Sequence, residues 1–85
     1  MVIPYEDYLI PIEIKAGKTG TLRSLHQFIY QAPHYFAIRL YAAELKFQKT
    51  KTPDGKEFVL LNLPYFLAFK IVDYIEWMIK NYSSL

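Results

Sequence analysis

At 85 residues the chain holds one small domain at most. So short a chain buries only about 60–65% of its unfolded surface, which leaves a narrow stability margin. The net charge of +2 argues against a strong polyanion-binding field, and the lack of cysteine excludes a disulfide scaffold or a thiolate metal site and fits a reducing cytoplasm. Hydrophobic residues make up 53% and aromatic residues 18%, more than so small an interior accommodates, which predicts that apolar surface meets another chain.

Val2-Ile3-Pro4 reads as a strand, and Tyr5-Glu6-Asp7 as the tip of a hairpin leading into a second strand over Tyr8–Lys15. The start has neither a basic segment nor an apolar run long enough for a signal peptide. In the second strand Ile10, Ile12 and Ile14 alternate with Pro11, Glu13 and Lys15. Period-two geometry sends the isoleucines to one face and Glu13 and Lys15 to the other. Glu-x-Lys near the end of a strand is half of a nuclease-type metal site. The same spacing also arises in solvated strands, as a surface pair worth less than about 1 kcal/mol.

Ala16 to Thr21 reads as the exit turn. Its Gly17-Lys18-Thr19 is no P-loop, because Ile12 stands where that motif needs its first glycine and Glu13 and Lys15 belong to a regular strand. Leu22, Leu25, Phe28, Ile29 and Ala32 have helical spacing, with Thr21 as N-cap and Pro33 as stop. His26 on this helix reads as a packing residue rather than a metal ligand or acid/base group.

Tyr35–Tyr41 has high β propensity, and its place after the helix predicts a strand parallel and adjacent to Tyr8–Lys15. Glu44–Lys51 and Glu57–Leu61 form a second hairpin about Thr52-Pro53-Asp54-Gly55, with Gly55 supplying the left-handed residue. Its Lys46, Lys49, Lys51 and Lys56 read as edge-strand lysines rather than nucleic-acid contacts. Asn62 is expected to cap a last helix over Leu63–Tyr82, with Pro64 in its first turn. Lys70, Asp73, Glu76 and Lys80 line one stripe of this helix; most of the rest is apolar, a surface suited to core plus interface. The apolar run Phe58–Phe69 contains Asn62 and Pro64 and is too short to span a bilayer.

The run Ile10-Pro-Ile-Glu-Ile-Lys-Ala-Gly-Lys-Thr-Gly-Thr-Leu-Arg-Ser-Leu-His-Gln-Phe28 resembles a motif of the C-terminal domain of unknown function carried by many bacterial AAA-type ATPases. Ala37-Ile-Arg-Leu40, the Thr-Pro-Asp-Gly hairpin and Leu60-Leu-Asn-Leu-Pro-Tyr-Phe-Leu67 continue the likeness. That family is similar in fold to the restriction-endonuclease-like, PD-(D/E)-x-K superfamily.

The resemblance implies an α/β (α+β) fold: the later part of a restriction-endonuclease-like core, a mixed sheet flanked by two helices in the order β-β-α-β-β-β-α. It implies Glu13 as a Mg²⁺ ligand, Lys15 as the group that positions or polarises the attacking water, and Gln27 as a polar residue near the site. The superfamily's Asp would fall just ahead of Met1, and Glu6 and Asp7 lie at the wrong end of the strand to replace it. The chain then corresponds to a truncated or remnant form of the domain, inactive by itself and needing no cofactor.

Three readings follow. One is a degenerate nuclease-fold module acting through association, as a homo-oligomer or with an ATPase-bearing protein. Another is a Mg²⁺-dependent DNA nuclease completed by a second chain. The last is a small regulatory dimer unrelated to nucleic acid. All are cytoplasmic, with no membrane partner.

Overall fold

A computed structural model of the chain describes residues 1–15 and 23–85, with Arg23 described by its backbone alone. The expected exit turn, the Gly-Lys-Thr stretch and the Thr21 cap lie outside the described residues.

Five strands and two α-helices follow one another as β1 (Val2–Tyr5), β2 (Tyr8–Ile14), α1 (Arg23–Gln31), β3 (Phe36–Tyr41), β4 (Lys46–Lys51), β5 (Glu57–Pro64) and α2 (Ile71–Asn81). A 3₁₀ segment, Tyr65–Lys70, leads into α2, and another, Tyr82–Ser84, follows it. The strands form one sheet in the order β1-β2-β3-β5-β4. β2, β3 and β5 run parallel, while β1 and β4 pair antiparallel at the two edges. This is an α+β mixed sheet with two helices, the class the sequence implies, and β2 and β3 are the expected parallel neighbours.

Alternation along the strands builds two apolar layers. Ile10 and Ile12 of β2, Phe36, Ile38 and Leu40 of β3, and Val59, Leu61 and Leu63 of β5 meet Ile75 and Met78 of α2. Each fully buried side chain of this kind stabilises by about 1.5–3 kcal/mol relative to exposure. On the other face, Ala37, Phe58 and Leu60 meet Leu25 and Ile29 of α1. The helices therefore cover opposite faces. Ile14 shares the α2 side by period, but at the strand end it is 56% exposed.

The last helix departs from its sequence reading. Asn62 is not a helix cap: it lies inside β5, 1% exposed and paired on both sides, with Arg39 and with Lys46. Pro64 ends the strand with φ −59° and ψ 147°, and the 3₁₀ segment starts at Tyr65. Ladders on both sides hold the chain extended through Asn62, and the ladder to β3 continues through Pro64, which outweighs the local Asn-x-Pro signal for a helix start.

Both hairpin turns use a left-handed residue. Tyr5 pairs with Tyr8 across a two-residue loop in which Glu6 has φ +52°. In the second hairpin the Gly55 amide donates to the Thr52 carbonyl at 2.9 Å, and Gly55 adopts φ +94°. This is a three-residue loop whose last residue is left-handed, the role expected of Gly55.

Candidate functional site

Parallel strands β2, β3 and β5 end together at one edge of the sheet. In open α/β sheets ligands bind outside such carboxyl ends. On the α1 face of this edge a polar row crosses four strands. Glu13 of β2 is in register with Arg39 of β3, Arg39 with Asn62 of β5, and Asn62 with Lys46 of β4.

Glu13 and Lys15 are both partly exposed. The Lys15 amide donates to the Leu40 carbonyl at 2.9 Å, continuing the ladder past Ile14, and the Tyr65 hydroxyl donates to the Lys15 carbonyl. Glu13 lines a shallow groove of about 150 Å³ with Met1, Val2, Pro11, Ser24 and Leu25. On the β1 side the last pair of the ladder joins Met1 to Ile12: the Ile12 amide donates to the Met1 carbonyl at 2.7 Å.

Gln27 is not brought to this groove. It is exposed, about 200° around α1 from Leu25, whose side of the helix packs on the sheet. Ser24 of the same helix lines the groove instead. His26 sits edge-on to Phe58 with ring centroids 5.8 Å apart, a packing contact. Asp7 lines a different cavity, of about 250 Å³, with Leu9, Phe28 and His34 at the amino end of β2. A roomier cavity of about 290 Å³, lined by Tyr35, Glu57, Phe58 and Tyr82, is also at the amino ends of the strands. Neither is lined by Glu13 or gathers the residues of the polar row, although the first shares Phe28 with the Glu13 groove.

Arg39 is the best-held side chain of the row. Its Nε–H donates to Asn62 Oδ1 at 2.8 Å, and its guanidinium carbon lies 4.4 Å from the centre of the Tyr41 ring. Glu13, although in register with Arg39, forms no ion pair with it; the ion pair among the described residues is Lys80–Glu76 at 2.7 Å. Sequence reasoning passed over Arg39 and Asn62 as site residues. The available signal was that each interrupts an otherwise apolar strand, Phe36–Leu40 and Phe58–Leu63.

Mg²⁺ takes one or two carboxylates together with several waters. Here Glu13 contributes one carboxylate, and the position beside it on β3 is a guanidinium. Among the described residues no group of three or more His, Asp or Glu side chains converges. This donor set does not by itself fit a divalent cation.

No family model, curated protein or solved structure matches the chain.

Proposed function

We propose that this chain is a nuclease-fold module without a complete catalytic centre, which acts by associating with a second copy of itself. A restriction-endonuclease-like core is the finer fold that this reading assigns to the mixed sheet. The observation that carries the reading is the register of Glu13 with Arg39: the neighbour of Glu13 on β3 is a guanidinium and not a second carboxylate. The associating surface is the 3₁₀ segment and the start of α2, where Phe66 is 74%, Phe69 79% and Val72 52% exposed. Phe66 and Phe69 are three residues apart in a helix of three residues per turn, so they share one face. A two-fold dimer is the commonest way to cover such a face.

The test has two arms. Sedimentation equilibrium should give twice the 10.1 kDa of one chain, and one chain mass in a Phe66→Glu, Phe69→Glu variant. A folded monomer would overturn the association. In the second arm, plasmid DNA incubated with Mg²⁺ or Mn²⁺ should remain uncut. Nicking that disappears in Glu13→Gln would replace this reading with a nuclease completed by another chain. The groove beside Glu13 and Met1 favours that second reading, because it gives an outside carboxylate a path to Glu13.

A further inference from the structure

Arg39 combines three features that a purely structural arginine does not need together. Its Nε is engaged by a buried amide, its guanidinium carbon lies over an aromatic ring, and among the described residues it has no carboxylate partner. The side chain is partly withdrawn from water, so its charge loses hydration without gaining an ion pair. With Nε bonded to Asn62, the two terminal nitrogens keep their donors for another acceptor, in the fixed fork that fits an oxyanion. Lys46 pairs with Asn62 from the opposite side and is exposed, so two cations flank one buried amide. Strand spacing of about 4.8 Å puts the Arg39 and Lys46 backbones about 10 Å apart, within joint reach of one tetrahedral anion.

We propose that Arg39, oriented by Asn62 and Tyr41, forms with Lys46 a binding site for a phosphate-class oxyanion at the carboxyl ends of β3 and β5. A tetrahedral phosphate spreads its oxygens toward both cations, whereas a planar carboxylate is satisfied by one guanidinium. The site requires neither a metal nor bond cleavage, so it stands apart from the nuclease-fold reading. The group bound is either a small phosphate or the phosphate of a nucleic-acid backbone. Asn62 is here a positioning residue, because it acts through Arg39.

Arg23 and Arg39 are the chain's two arginines, so a side-chain ¹⁵N spectrum holds two Nε–H signals, and Arg39→Lys assigns them. Inorganic phosphate should shift the Arg39 signal and saturate near about 1 mM, the weak range expected for a small anion. Acetate should need at least about tenfold more. Isothermal titration with phosphate should show affinity falling about tenfold or more in Arg39→Lys, which loses the fork, and several-fold in the exposed Lys46→Met. The doubly substituted Arg39→Met, Asn62→Leu chain, which leaves no buried amide without a donor, should fold and not bind. A labelled oligonucleotide then separates the sources. Arg39-dependent binding that phosphate displaces assigns the site to a nucleic-acid backbone, and binding of phosphate alone assigns it to a small phosphate. An Arg39 signal unmoved by phosphate, equal response to acetate, or undiminished binding by the double variant would overturn the proposal. None of these readouts depends on nicking or on dimer mass.

Discussion

The Nε–H of Arg39 donates to Oδ1 of Asn62 at 2.8 Å, joining residues 23 positions apart across β3 and β5. The two partners differ in burial, since Asn62 is 1% exposed and Arg39 is partly accessible. Arg39→Met should therefore cost about 1–3 kcal/mol, the penalty of a buried acceptor left without a donor. Asn62→Leu should cost less, because water can reach the released guanidinium. The double variant should recover most of the loss. Urea denaturation of the four chains measures this coupling, and additive losses would show that the bond contributes little.

Lys56 closes α1 from a distant hairpin. Its ammonium donates to the carbonyls of Ile29, Ala32 and His34 at 2.6, 2.7 and 2.7 Å. A cation at a helix C-terminus is favourable, and these carbonyls belong to the end of α1 and the link that follows. Lys56→Met should destabilise by about 2 kcal/mol, the scale of charge-assisted hydrogen bonds. Faster amide exchange confined to the last turn of α1 would locate the effect. An unchanged denaturation midpoint would refute it.

His34 should make stability depend on pH. Its Nδ1 accepts from the Phe36 amide at 3.1 Å, which leaves Nε2 to donate to the Leu9 carbonyl at 2.8 Å. Protonation would destroy the Nδ1 acceptor. Burial pushes the imidazole below its ordinary value, the Leu9 carbonyl opposes this, and the Lys56 ammonium adds to the lowering. As pH falls through about 6.5 the unfolded chain takes up a proton that the native chain refuses, so stability declines until the depressed native value is reached. The urea midpoint should be lower at about pH 5.5 than at about pH 7.5, and His34→Gln should flatten that difference. A midpoint rising on acidification would contradict it.

Gly55 should be preferred at its position for conformational reasons alone. At φ +94° a Cβ would meet nothing within 4 Å, so only the backbone penalises a side chain. Gly55→Ala should cost about 1 kcal/mol, and Gly55→Asn less, because asparagine tolerates left-handed geometry. Thermal denaturation of the two variants checks the order.

The sequence alone determined the features that depend on near neighbours. Period two over Tyr8–Lys15, helical spacing over Leu22–Ala32 and Thr-Pro-Asp-Gly each specify local geometry within a few residues, and β2, α1 and the second hairpin follow them. The placement of Glu13 and Lys15 near the end of β2 was likewise readable from alternation. Tertiary structure decided what depends on register between distant strands. Asn62 followed by Pro64 resembles a helix start, yet pairing with both β3 and β4 keeps it extended and aims its amide at Arg39. Lys56 looked like one more edge lysine until the fold brought the carbonyls of α1 to its ammonium. Local propensity amounts to tenths of a kcal/mol per residue, whereas a buried ladder with its side chains amounts to several, so where the two conflicted the long-range pairing prevailed.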